Sequence, residues 1–62
     1  MGQQLVKVYD FVEDEKGLVG KMELAKRTKI PSTLAASVPD TPENVRKFME
    51  AAQAITGKPP PR

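Results

Sequence analysis

The side chains that most often carry out chemistry in proteins are scarce in this sequence. Cysteine and histidine are absent, which removes thiolate nucleophiles, zinc sites of the Cys/His type and the usual neutral-pH proton carrier. The only dense group of carboxylates is Glu13, Asp14 and Glu15. These residues are consecutive and match neither the spacing of a calcium-binding loop nor that of an acid/base pair. The composition therefore predicts a protein that is not an enzyme and that uses neither a metal nor a cofactor.

The remaining polar candidates support the same prediction. Ser32 and Ser37 lack a histidine that would activate their hydroxyl groups. The segment 57–59 reads Gly-Lys-Pro, which has neither the spacing of a phosphate-binding loop nor the Ser or Thr that follows its lysine. We accordingly infer no small-molecule substrate from the sequence.

Charge is distributed unevenly along the chain. Residues 1–16 have a balance of −2, residues 17–38 a balance of +3 and residues 39–62 a balance of +1. The basic residues of the middle segment are Lys21, Lys26, Arg27 and Lys29. They are candidates for contacts with phosphates or with an acidic partner, although a solvated surface explains the same pattern.

The clearest element that could position a binding surface is a helix over residues 42–56. Thr41 is a good N-cap, Pro42 suits the first helical position, and Gly57 is placed to end the helix in a left-handed turn. Apolar residues recur at helical spacing along it: Val45, Phe48, Met49, Ala52 and Ile55. This stripe is either core or a partner surface, and its partner-binding candidates are Val45, Phe48, Met49 and Ile55.

The N-terminal half fits two structures. As a helix, Leu5, Val8, Tyr9 and Val12 form one apolar face and Gly17 ends the element. As a β-hairpin over residues 5–25, the same residues pair across a turn at 14–17. We favour an all-α fold, a small bundle of three to four short helices. The alternative is an α+β fold in which the hairpin packs on the C-terminal helix.

On the helical interpretation, residues 21–38 resemble a helix-turn-helix. Ala25 would lie where two helices approach closely, Ile30 would fill the turn and Ser32 would cap the second helix. The residues expected to pack inward from that second helix are Leu34, Ala35 and Val38. With a third helix over 41–55, the arrangement is similar to DNA-binding domains of the lactose-repressor type, and the resemblance covers about a third of the chain.

That resemblance implies nucleic-acid binding, with phosphate contacts from the basic residues and base contacts from Ser32, Thr33 and Ser37. The sequence departs from the pattern in three ways. Lys29 stands where glycine is common, Pro39 stops the second helix after about seven residues, and its exposed positions carry no Arg, Asn or Gln to read base edges. A helical hairpin whose small residues allow close packing explains the same spacing.

The sequence thus predicts one small helical domain over residues 1–57 and a Pro-rich, extended tail over 58–62. Apolar residues are few for an independent core, so we expect a non-catalytic interaction module, an accessory or regulatory protein. Its partner would be a larger protein or a second copy of itself. A helix-turn-helix protein that binds nucleic acid through residues 21–38 is the alternative. Without a run for membrane insertion or export, we expect a cytoplasmic location and no membrane contact.

Overall fold

Three helices account for the secondary structure in the computed structural model, which describes residues 2–60. They are α1 (Gln3–Thr28), α2 (Ser32–Ala35) and α3 (Pro42–Thr56). No strand occurs between residues 2 and 60. The all-α prediction is confirmed, and the alternative β-hairpin over residues 5–25 is wrong because that segment is helical on both sides of Gly17.

A break at Gly17 folds α1 back on itself. Gly17 has φ 71° and ψ −157°, a combination that is essentially restricted to glycine. A straight helix of this length would span about 39 Å, whereas the longest dimension of the molecule is 24 Å. α1 is therefore a helical hairpin with a first limb (residues 3–16) and a second limb (residues 18–28), as predicted from the glycine that follows the acidic run.

The two limbs are in close contact at Gly20. A Cβ atom at Gly20 would lie 2.5 Å from the Cβ of Lys16 and 3.0 Å from a methyl carbon of Val12. Nearby, Lys21 Nζ and Glu13 Oε2 form an ion pair across the turn at 3.9 Å. The absence of a side chain at Gly20 thus lets the second limb pack against the first.

The core lies where α1 and α3 meet. Its buried apolar residues are Leu5, Val8, Tyr9, Val12, Leu24, Ala35, Phe48 and Ala52. The first four have the helical spacing that predicted one apolar face on the first limb. The rings of Tyr9 and Phe48 meet edge to face, with centroids 5.7 Å apart and an interplanar angle of 72°, which joins the first limb to α3.

Both ends of α3 agree with the sequence prediction. Thr41 Oγ1 accepts a hydrogen bond from the Asn44 N–H at 3.2 Å, and Pro42 is the first helical residue. At the other end Gly57 adopts φ 77° and donates its N–H to the carbonyl oxygen of Gln53 at 2.8 Å. Local capping therefore fixes the length of this helix.

Beyond α3 the chain returns to the body of the protein. Lys58 Nζ pairs with Glu15 Oε1 at 3.2 Å, and Pro60 is buried. The expected extended tail is thus held against the helices as far as Pro60. Its last two residues, Pro61 and Arg62, lie outside the described residues.

Candidate functional site

The apolar stripe of α3 faces the interior of its own chain. Phe48 is fully buried, and Val45, Met49 and Ile55 are half-buried and pack against the core. The spacing predicted that this stripe is either core or a partner surface, and the structure shows these residues packed in or against the core. Phe48 has no surface to offer a partner, whereas Ile55 also lines a surface groove beside the second limb.

The basic residues of the middle segment do not share one surface. Lys21 is half-buried and lines a small cleft together with Ser32 and Thr33. Lys26 lies on another side of the second limb, beside Met22. Because helical residues advance by about 100° each, positions 21 and 26 lie about 140° apart around the axis. A continuous phosphate-binding surface is therefore not formed by this set.

The remaining two basic residues lie near the end of the second limb. Arg27 is exposed and pairs with Glu23, with 3.4 Å between Arg27 Nε and Glu23 Oε1. Lys29 is exposed and adopts φ 62°, the left-handed conformation for which helix-turn-helix motifs often use glycine. Together with Lys26 they make this end of the helix basic.

The second helix of the suggested helix-turn-helix is a single turn. α2 contains four residues, and its N-cap is Pro31 with no side-chain hydrogen bond, so Ser32 is not the cap that we expected. Leu34, expected to pack inward, is 54% exposed, because so short a helix buries only Ala35 fully. Ser37 is exposed beyond the end of α2.

The buried side of the second limb differs from the side that its apolar residues suggested. Gly20, Leu24 and Thr28 face the core, and the Thr28 hydroxyl donates a hydrogen bond to the Leu24 carbonyl oxygen at 2.8 Å. That bond satisfies a polar group that would otherwise be costly to bury. Glycine and threonine thus occupy buried helix positions, where large apolar residues are more common.

The opposite side of the second limb carries a group of exposed apolar side chains. Leu18, Val19 and Met22 are 65%, 78% and 61% exposed, and we call these three residues the apolar patch. They lie within about 100° of one another around the helix axis, on the side opposite Leu24. Leu18 and Met22 have the i, i+4 spacing of a helical face, but that spacing does not show that this face is the outer one. Gly20, Leu24 and Thr28 follow one another at i, i+4 spacing. This spacing was the only signal in the sequence for the side of the second limb that is buried.

Two depressions border the apolar patch. One, of about 350 Å³, lies between the second limb and α3, and Val19, Glu23 and Ile55 contribute to its walls. The other, of about 290 Å³, is lined by Val19, Met22, Glu23 and Lys26. Both join apolar surface to charged groups at its edge, the composition typical of a protein contact surface.

A third groove, of about 570 Å³, lies beside Asp40 at the start of α1. Asp40 Oδ2 accepts a hydrogen bond from the Gln4 N–H at 3.2 Å, so the loop before α3 supplies the cap that α1 itself lacks. Asp40 Oδ1 is buried and has no hydrogen-bond partner among residues 2–60. A carboxylate at a helix N-terminus is stabilised by the helix dipole, which explains the position of Asp40. Val45 and Met49, two of the predicted partner-binding residues of α3, also line this groove.

Tyr9 should titrate above the usual range for tyrosine. Burial raises the pKa of its phenol above 10.0, and a hydrogen bond with the Thr28 side chain offsets part of that increase. Its hydroxyl also donates to the carbonyl oxygen of Ile30, which favours the neutral form. Tyr9 is the only tyrosine and the chain has no tryptophan, so the phenolate absorbance reports this residue alone.

We expect the phenolate absorbance of Tyr9 to rise at a higher pH in the folded protein than in the protein unfolded by urea. The pKa of Tyr9 is higher in the folded chain than in the unfolded chain. The stabilisation that the neutral Tyr9 phenol provides is therefore complete below pH 10 and is lost as the pH rises through the folded-state pKa. The Tyr9→Phe variant should lack this part of the alkaline loss of stability. An identical midpoint in the folded and unfolded chains would show that Tyr9 is not buried as described.

Comparison with models of protein families, with curated proteins and with solved structures found no match to this chain. Within residues 2–60, no cluster of three or more carboxylate, histidine or cysteine side chains is placed to hold a metal ion. In the same range, no helix combines the length and the hydrophobicity needed to cross a membrane. The geometry of the apolar patch is therefore the main basis for a functional proposal.

Proposed function

We propose that this chain is a non-catalytic protein-interaction module that docks through the apolar patch. The observation that carries the proposal is the exposure of Leu18, Val19 and Met22 on one side of one helix. Complete burial of a side chain of this size stabilises a structure by roughly 1.5–3 kcal/mol. Contiguous exposed apolar side chains of this kind mark contact surfaces in folded proteins.

The surroundings of the apolar patch support a protein rather than a lipid or a small molecule as its ligand. Glu23 and Lys26 lie at its edge, and charged residues around an apolar centre are the usual arrangement of a protein interface. The adjoining groove continues the apolar surface to Ile55 on α3. The contact surface is thus centred on the second limb rather than on the stripe of α3.

Nucleic-acid binding is the second candidate, favoured by the exposed Lys26, Arg27 and Lys29 at one end of the second limb. Phosphate contacts from such residues provide affinity without reading a sequence. Two observations count against it: the single turn of α2 offers little to a major groove, and Lys21 lies on a different side of the helix. We therefore place this function second.

A comparison of three tagged chains tests the proposal. Val19→Asp puts a charge in the centre of the apolar patch, while Gln3→Asp adds the same charge at an exposed position near the other end of the hairpin. In extract of the source cells, we expect the wild-type and Gln3→Asp chains to retain the same protein in proportion to the bait. Val19→Asp should retain at least about tenfold less, since a charge buried in a contact is costly.

The control for folding is the far-ultraviolet circular dichroism spectrum, which should be the same for all three chains because positions 3 and 19 are exposed. Equal retention by the wild-type and Val19→Asp chains would show that the apolar patch is not the contact surface. Retention of material that nuclease removes and salt releases would instead favour the nucleic-acid candidate.

A further inference from the structure

We propose that the apolar patch, together with the basic surface beside it, binds an acidic amphipathic helix of a partner protein. This inference rests on the proposed function and names the chemistry of the partner. It follows from a groove that joins apolar side chains to a positive charge, and from the net charge of the surface that continues this groove.

The depression of about 290 Å³ offers both kinds of contact. Its walls are formed by Val19, Met22, Glu23 and Lys26. The charge of Glu23 is engaged by Arg27, with 3.4 Å between Glu23 Oε1 and Arg27 Nε. Lys26 is exposed and takes part in none of the ion pairs within residues 2–60. A ligand that fills this depression therefore meets two apolar side chains and an ammonium group that lacks a counter-charge.

Positive charge continues from Lys26 to the end of the second limb. Arg27 and Lys29 are exposed there, and Lys29 is likewise absent from the ion pairs of the described range 2–60. With Glu23 included, the balance is +2, which equals the net charge of the whole chain. We call these four residues the basic end. Lys29 has φ 62°, a conformation that glycine adopts at lower cost, so the backbone alone would favour glycine at this position.

The acidic run of the first limb does not offset this charge. Glu13 pairs with Lys21 at 3.9 Å. Glu15 pairs with Lys58 at 3.2 Å, and the third carboxylate of the run is matched in charge by the exposed Lys16. None of the three carboxylates lines either depression beside the apolar patch. The surface around the apolar patch is therefore neutral towards the first limb and positive at the basic end.

The apolar patch and the basic end share one side of the second limb. Positions 18, 22, 26 and 29 follow one another at steps of four, four and three residues, so they lie within about 80° of one another around the helix axis. They extend over about 16 Å, which is the length of about three turns of a partner helix. A helix that docks in this way presents apolar residues at i, i+3, i+4 and i+7 spacing. Acidic residues at one end of it would face Lys26 and Lys29.

The apolar patch distinguishes this partner from a nucleic acid. Phosphates would be held by the basic end alone and would leave Leu18, Val19 and Met22 uncovered. An acidic amphipathic helix uses both parts of the surface, because its apolar residues bury the apolar patch and its carboxylates complement the basic end. The surface is small for a protein contact, so we expect a dissociation constant on the order of 100 µM.

Two synthetic peptides of about 14 residues serve as probes, because about four helical turns cover this surface. Both carry leucine at i, i+3, i+4 and i+7 spacing, and the other positions are alanine with glutamate in one peptide and with lysine in the other. Each is added up to about 1 mM to the isotope-labelled full chain, and backbone amide chemical shifts are followed by nuclear magnetic resonance.

The glutamate peptide should bind with a dissociation constant on the order of 100 µM and should shift the amides of residues 18–29 most. The lysine peptide should bind at least about tenfold more weakly, because it meets like charges at the basic end. Equal binding of the two peptides, or binding of neither, would overturn the proposal.

A charge reversal tests whether the basic end selects the acidic peptide. Lys26→Glu combined with Lys29→Glu should prefer the lysine peptide by at least about tenfold. The matched control combines Lys7→Glu with Arg46→Glu, which makes the same change in net charge at exposed positions that line neither depression. The control should still prefer the glutamate peptide. The same reversal in both double variants would show that net charge alone selects the peptide and would overturn the proposal. Circular dichroism confirms that each variant is folded.

Val19→Ser tests the apolar part of the contact without adding a charge. It should weaken binding of the glutamate peptide at least about threefold, because a large apolar side chain at the centre of the contact is lost. Gln3→Ser, at an exposed position of the first limb, should leave the affinity within about twofold. Equal losses for the two variants would contradict a contact centred on the apolar patch.

A DNA duplex of about 12 base pairs tests the other polyanion that could use the basic end. At physiological salt it should bind at least about tenfold more weakly than the glutamate peptide. Tighter binding of the duplex than of the peptide would assign the basic end to nucleic acid and would overturn the proposal.

The two proposals fail in different ways. If the wild-type chain does not prefer the glutamate peptide but Val19→Asp still loses a protein that the wild type retains from extract, the partner is not an acidic helix and the interaction module stands. If Val19→Asp retains the same protein as the wild type and binds the glutamate peptide equally well, the apolar patch is not the contact, and both proposals are overturned.

Discussion

Replacing Phe48 with alanine is expected to leave much of the protein unfolded at 25 °C. Phe48 has no exposed surface and meets the ring of Tyr9 edge to face, so it joins α3 to the first limb. Truncation of a buried phenylalanine costs about 3–5 kcal/mol. A chain of 62 residues has a free energy of unfolding of about 3–9 kcal/mol in total. The loss of this one side chain thus removes a large part of the stability.

Urea denaturation followed by circular dichroism measures this effect. Leu34→Ala is the matched control, because Leu34 is also a large apolar residue but is 54% exposed, and its truncation should cost at most about 0.5 kcal/mol. Equal losses for the two variants would show that Phe48 is not the central core residue described. Phe48→Asp would place a charge in the core and unfold the chain, so this variant cannot test whether the stripe of α3 binds a partner.

Gly20→Ala should destabilise the hairpin although alanine favours helices. In an open helical position this change is favourable by about 1 kcal/mol. At position 20, however, the added Cβ would lie 2.5 Å from the Cβ of Lys16 and 3.0 Å from Val12 Cγ1, so the two limbs would have to move apart. Overpacking of this kind costs about 1–3 kcal/mol, and we expect a net loss in a urea titration.

A double variant separates this steric effect from a change in helix propensity. Lys16→Gly removes the nearest conflicting atom at a cost of about 1 kcal/mol in propensity. If the contact is the cause, Lys16→Gly combined with Gly20→Ala should be more stable than the sum of the two single effects, by about 1 kcal/mol or more. A stabilising Gly20→Ala, or additive effects of the two changes, would be evidence against close contact of the limbs.

The elements predicted well from the sequence are those with local signals. Thr41, Pro42 and Gly57 fixed the bounds of α3, because a cap acts on the groups within one turn of it. Gly17 likewise marked the end of the first limb. Residues 14–17 were also compatible with the turn of a β-hairpin. The helical structure of the segments on both sides of this turn decides in favour of the all-α fold.

The orientation of the second limb was not predictable from periodicity. Leu18 and Met22 have the spacing of a core face, and the buried Gly20 and Thr28 do not look apolar. The limb turns this other side inward because Gly20 permits close approach and Thr28 satisfies its hydroxyl within its own helix. The close approach at Gly20 depends on the position of the first limb, which a pattern of single residues does not contain.

The location of the candidate site likewise depends on which side of the second limb is buried. The spacing of α3 allowed a core role or a binding role for Phe48, and the structure assigns it to the core. The apolar patch could not be predicted from the sequence, because its exposure follows from the burial of the opposite side of the second limb. By contrast, the scarcity of catalytic side chains could be read directly from composition, because no fold can supply a histidine or cysteine that the sequence lacks.

The glycine at position 17 also governs which chain the second limb packs against. Its backbone angles, φ 71° and ψ −157°, turn the helix back within one residue. A side chain at position 17 makes these angles costly by about 1–3 kcal/mol, and the competing structure is a straight α1 of about 39 Å. The contact at Gly20 could then form only between molecules, with the first limb of one chain replacing that of the other. Such an exchange of identical segments is the known hazard of altered hinges. Substitutions at this hinge should therefore shift the balance from the self-contained fold towards an intertwined, domain-swapped one.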